Sequence, residues 1–146
     1  MRSHHLVALA ALASAVVSVP ARADTDLTGK WIGQFVGVQI EIPPERGPFG
    51  HPRDDAKASQ AARIVDNPLQ LDIETQNKGL VVGTWTAGEF KKHFVCAQTA
   101  ATVWNCIDSG GHASVEVVSA GEIKVCYFDN RESAQGAGCG SLRRTK

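Results

Sequence analysis

Beyond residue 24, apolar and polar positions alternate with a period of two along most of the chain. Leu69, Leu71 and Ile73 interleave with Gln70, Asp72 and Glu74, the pattern of a strand with one dry face. Segments rich in Val, Ile, Thr and aromatics recur between turn signals. They predict eight strands, over 31–42, 69–76, 80–86, 90–98, 102–108, 112–118, 123–128 and 137–143. Breakers such as Asn77-Lys78-Gly79, Ala87-Gly88 and Ser109-Gly110-Gly111 separate them. Connections this short suit antiparallel neighbours, because a parallel crossover needs a dozen residues or more. The expected fold is all-β, an eight-stranded antiparallel up-and-down meander closed into a barrel.

The stretch between Pro43 and Pro68 interrupts the alternation. Pro43, Pro44, Pro48 and Pro52 each remove a backbone donor, so no strand is expected there. Asp54 and Asp55 can cap a helix whose apolar stripe is Ala58, Ala61, Ala62 and Val65. One short helix is therefore expected in this long first connection, ending before Asn67-Pro68.

Propagating the dry face of 69–76 through the hairpins gives a predicted interior. It holds Leu80, Val82 and Thr84; His93 and Val95; Val103, Asn105 and Ile107; Ala113, Val115 and Val117; Ile123, Val125 and Tyr127; and Gly138, Gly140 and Leu142. In the first strand, apolar parity points Ile32, Val36, Val38 and Ile40 inward, with Gln34 among them. This solution leaves Trp85, Phe90, Phe94, Trp104 and Phe128 outside. Such aromatics imply a homo-oligomer interface, or cover by the long connection, or a bulge that inverts the register partway along.

Composition sets the compartment. The sequence has 146 residues. Residues 1–23 read as a signal peptide, with an apolar run from Leu6 to Val19 and an Ala21-Arg22-Ala23 cleavage site. A single domain over 24–146 follows, exported to the periplasm or secreted. No apolar run reaches the ~20 residues of a membrane-spanning helix. Of the 15 basic residues, Arg2 and Arg22 fall in the leader, leaving 13 against 15 acidic ones. That balance gives no basic footprint for nucleic acid.

Cys96, Cys106, Cys126 and Cys139 form an even set in an exported chain, the setting in which thiols oxidise. No C-x-x-C pair suggests zinc. Cys96 and Cys106 flank the Thr99–Ala101 turn symmetrically, and Cys126 and Cys139 flank the turn at 129–135. The expected bridges are therefore Cys96–Cys106 and Cys126–Cys139, each across one hairpin.

Gly29-Lys30-Trp31, within Leu27-Thr28-Gly29-Lys30-Trp31, resembles the G-x-W start of lipocalins and avidins. The hairpin from Ile73 to Trp85 is similar to one in such exported barrels, and Leu142-Arg143 falls where a lipocalin-like barrel carries a basic residue near its end. The resemblance to these calycin-like barrels implies that Trp31 and Arg143 pack together at a closed end. Bacterial metalloprotease inhibitors, also exported and eight-stranded, open with a similar Leu-x-Gly-x-Trp. That likeness implies a protease-facing role for the residues ahead of it, Asp24-Thr25-Asp26.

An eight-stranded barrel is filled by side chains or holds one small ligand. Gln34, His93, Asn105 and Tyr127 are the polar groups expected to orient such a ligand in a largely apolar interior. Arg46, His51, Arg53, Asp54 and Asp55 form a polar cluster on the proline-rich connection, a possible contact surface for a protein. Neither a G-x-S-x-G nor an H-E-x-x-H motif occurs, so any catalysis would fall to His93, alone or paired with a glutamate, or to Tyr127 inside the cavity. No cofactor or metal is implied. The primary expectation is an exported barrel binding a small, largely apolar ligand. The alternative is an inhibitor or interaction module acting on a periplasmic hydrolase.

Overall fold

The computed structural model describes residues 25–41, 62–131 and 134–146. Its eight strands are β1 (Gly29–Glu41), β2 (Arg63–Asn77), β3 (Leu80–Ala87), β4 (Phe90–Ala100), β5 (Val103–Ile107), β6 (Gly111–Ser119), β7 (Glu122–Arg131) and β8 (Ala134–Arg144). Each pairs antiparallel with the next, and β8 returns to β1, so the sheet is a closed barrel. Closure gives every strand two neighbours along part of its length, which limits edge-to-edge association.

No helix occurs among the described residues. Val65, the last position of the predicted helical stripe, lies instead in β2, which runs through Asn67-Pro68. Pro68 is tolerated because β2 meets β3 only from Leu69 onward; before that residue one side of the strand has no partner. The rest of the expected helix, and the expected signal peptide, lie outside the described residues. The final hairpin is longer than expected, with the ladder continuing through Asp129↔Gly136 to Arg131↔Ala134.

The interior follows the predicted parity on β2, β6, β7 and β8, and the opposite parity on β1, β3, β4 and β5. A bulge in β2 between Ile73 and Thr75 causes the first inversion. It sets Leu71 opposite Trp85 and Ile73 opposite Gly83, so β3 turns Val81, Gly83 and Trp85 inward. The inversion persists through Phe94, Cys96, Trp104 and Cys106, all buried. It ends at the β5–β6 turn, where Cys106 faces Ala113 and Trp104 faces Val115. Leu80, Val82, Val95, Asn105 and Ile107 accordingly face outward and are exposed. On β1 the inward set is Trp31, Gly33, Phe35 and Gly37, while Ile32, Val36 and Val38 are exposed.

Of the five aromatics expected outside, Trp85, Phe94 and Trp104 are therefore core residues, and Phe90 and Phe128 remain exposed. The aromatic basis for an oligomer shrinks to those two. The expected disulfides are both present, Cys96–Cys106 and Cys126–Cys139. They lie on opposite sides of the wall: Cys96 and Cys106 are buried in the core, while Cys139 is exposed.

One end of the barrel is plugged. Leu27 and Trp31 are fully buried there, and the Trp31 indole donates to the Leu27 carbonyl at 2.8 Å. Gln76 clamps the incoming chain, accepting from Leu27 N at 2.7 Å and donating to Thr25 O at 2.9 Å. The Arg144 guanidinium lies 4.6 Å from the Trp31 ring centre and donates to the Asp26 carbonyl. The basic partner of Trp31 is thus Arg144 and not Arg143. Trp31 pairs directly with Arg144 across the seam, whereas Arg143 falls on the outer face and is exposed.

The inward glycines of the seam between β1 and β8 leave no room for a side chain. A Cβ on Gly33 would lie 2.1 Å from the Ser141 carbonyl oxygen, a backbone atom that cannot swing aside. Gly33→Ala should therefore cost about 3 kcal/mol, the upper range for overpacking, read as a fall in the urea midpoint at unchanged m-value. Each disulfide closes a short loop and should contribute about 3 kcal/mol. Replacing Cys96 and Cys106 together by Ser should cost about 1–2 kcal/mol more than the same change at Cys126 and Cys139. The excess reflects hydroxyls buried in the core, and paired denaturation curves would measure it.

Candidate functional site

Among the described residues, the end opposite the plug is open and leads into a cavity of about 200 Å³. Its apolar wall includes Phe35, Val65, Leu69, Trp85, Ala87 and Val125. The wall formed by β1 and β8 is thin because glycine occupies several inward positions. At Gly138 a Cβ would stand 2.6 Å from the Phe35 ring, so Phe35 lies flat only because that side chain is missing. Trp85 packs against Phe94 with centroids 4.0 Å apart and the rings tilted by 31°, and it meets the Tyr127 ring edge-on at 6.0 Å.

Polar groups gather on one side of the mouth. Asp108, at the end of β5, has a side chain only 1% exposed. Its carboxylate accepts from Gly110 N (2.6 Å), Gly111 N (3.0 Å), the Trp85 indole (3.0 Å) and the Tyr127 hydroxyl (3.0 Å). A buried carboxylate is costly unless such donors compensate it. Lys92 Nζ lies 3.7 Å away, near enough for Coulomb attraction and beyond hydrogen-bond distance. Asp129 binds Arg131 through several contacts, including Nε to Oδ1 at 2.8 Å. Burial, and then the hydrogen bond to Asp108, push the Tyr127 phenol well above its ordinary range.

The sequence-expected ligand set divides across the wall. Tyr127 lines the cavity. Gln34, His93 and Asn105 point outward and are exposed, so they contribute nothing to it. Gln34 bonds Asp66 on the outer surface. His93 Nδ1 sits 3.2 Å from Thr84 Oγ1, which in turn donates to Glu74. His93 and Tyr127 therefore cannot act on one interior substrate. Arg46, His51, Arg53, Asp54 and Asp55 lie outside the described residues.

Trp85, Lys92, Asp108, Asp129 and Arg131 line the cavity without having been expected there. Asp108-Ser109-Gly110-Gly111 carries a legible signal, since aspartate commonly accepts from the amides two and three residues on. Lys92 and Trp85 became inward only through the β2 bulge. Among the described residues no cluster of three or more metal-ligating side chains occurs, and there is no helix long and apolar enough to cross a membrane.

No protein-family profile and no curated protein matches the chain in sequence.

The chain has a single tyrosine, so phenolate absorbance reports Tyr127 alone. Folded protein should show no phenolate through the ordinary titration range near pH 10, and the band should appear on unfolding. Because the folded state holds this proton more tightly, its contribution is intact at neutral pH and declines as pH rises above the unfolded phenol's range. Tyr127→Phe should flatten that alkaline decline in a pH series of denaturation curves.

Proposed function

We propose that this protein is an exported β-barrel that binds a small, largely apolar molecule inside its open end. The observation that carries the reading is the pairing of a plugged end with an open, aromatic-lined cavity. A barrel of this strand number is either filled or holds one small ligand, and here side chains fill only the half around Trp31, Trp104 and Ile123. At about 200 Å³ the space exceeds the ~150 Å³ engineered cavity known to admit benzene. Apolar walls with a few convergent polar groups are the usual composition of a small-molecule site.

The inhibitor reading receives less support. Thr25 and Leu27 are tied to Gln76 at the plugged end, and hydrogen bonds from Thr28 hold the Asp26 carboxyl below its usual range. Residues engaged in sealing the barrel are poorly placed to enter a protease cleft. The paired cysteines fit an oxidising compartment.

Native mass spectrometry of protein purified from its own exporting cell should show a small-molecule adduct. Ala87→Trp, which fills the mouth, should abolish the adduct and weaken binding of 1-octanol at least tenfold while the melting temperature stays within a few degrees. Wild-type protein with no adduct and no response to 1-octanol would refute the reading.

A further inference from the structure

We infer that the ligand carries a carboxylate, and that Lys92 is the group that recognises it. This rests on the cavity reading above and adds the chemistry of one end of the occupant. The argument follows from which polar groups at the mouth are already satisfied.

Asp108 receives two backbone amides, an indole and a phenol, so its lone pairs are engaged within the protein. Arg131 gives its Nε and Nη2 to the Asp129 carboxylate, and the two charges offset each other. Tyr127 directs its proton at Asp108. Lys92 differs from all of these. It lies on the inner face, opposite Trp85 in the β3–β4 ladder, and its side chain is 27% exposed. Among the described residues its only close charged partner is Asp108 at 3.7 Å, and no hydrogen bond engages its ammonium. Three N–H donors are therefore unspent beside a largely apolar cavity.

The neighbouring backbone is shaped around that ammonium. A Cβ on Gly110 would stand 2.2 Å from Lys92 Nζ, so the missing side chain is the space the ammonium occupies. The Asp108 carboxylate then sits behind the lysine, fixing its position without using its donors. An ammonium held this way favours an oxygen anion, because a charge-assisted hydrogen bond is stronger than a neutral one. One uncommitted cation suits one negative charge. A phosphate would bring a second negative charge, and the charge of Arg131 is already offset by Asp129. A cationic head would meet Lys92 with no free carboxylate to offset it. The occupant that fits is a short apolar chain or ring ending in a carboxylate.

Three probes of equal chain length test this at neutral pH: octanoate, 1-octanol and octylamine, titrated by calorimetry against the full mature protein. Octanoate should bind about tenfold more tightly than 1-octanol, and octylamine most weakly. Lys92→Gln should remove the octanoate advantage and leave 1-octanol within twofold of wild type. Gly110→Ala keeps the lysine but displaces its ammonium, and should produce the same loss of preference. Equal affinities for octanoate and 1-octanol, a preference for octylamine, or an octanoate advantage that survives Lys92→Gln would each overturn the carboxylate assignment and leave the cavity reading standing. Failure of all three probes to bind would overturn both.

Discussion

Everything in this barrel depends on how closely the first and last strands can approach. β1 and β8 are the strands farthest apart in sequence, and their pairing converts an open meander into a closed wall. Where Gly33 meets Leu142 and Gly37 meets Gly138, backbone lies against backbone with no room for a Cβ. The same absence of side chains has a second effect farther along the seam. Towards the mouth it leaves the interior underfilled, and towards the plug the deficit is made up by Trp31, Leu142 and the incoming Leu27. Closure and cavity thus share one origin in sequence.

The two ends divide the work of the molecule. At the plug, the Leu27 amide and the carbonyls of Thr25, Asp26 and Leu27 are held by Gln76, Arg144 and Trp31. At the mouth, the polar groups surround Asp108, a buried charge satisfied by donors from β3, β7 and the β5–β6 turn. Such a network fixes the relative positions of three elements and so sets the outline of the cavity. Lys92 stands beside that network at 3.7 Å, with no hydrogen bond to its ammonium among the described residues.

Strand number, strand order and both disulfides could be read from the sequence because each is a local property. Short breakers force neighbouring strands to pair, and cysteines equidistant from a turn face each other in any regular hairpin. What could not be read directly was the facing of β1, β3, β4 and β5. One unpaired residue, Glu74, inverts everything after it, and the tight turn after Asp108 restores the original sense. Between these two points His93 and Asn105 exchange places with Lys92 and Trp104. The outward-pointing tryptophans were the visible symptom, since Trp85 and Trp104 could not both sit comfortably in water. On β1 the reason is different. Glycine carries no hydrophobic signal, so Ile32, Val36 and Val38 suggested an inner face that belongs to Gly33, Phe35 and Gly37. Arg143 came from the likeness to lipocalin-like barrels, whereas the inward parity of Gly138, Gly140 and Leu142 on β8 leads to Arg144.

The anchoring of Thr25 and Leu27 by Gln76 has a practical corollary for handling the protein. Because the amino-terminal strand enters at the sealed pole, a linker joined ahead of Thr25 leaves from the side remote from the aperture. Molecules grafted to a support through such a linker would stand with the aperture towards solvent, all in one orientation, and the tether would not compete with whatever enters.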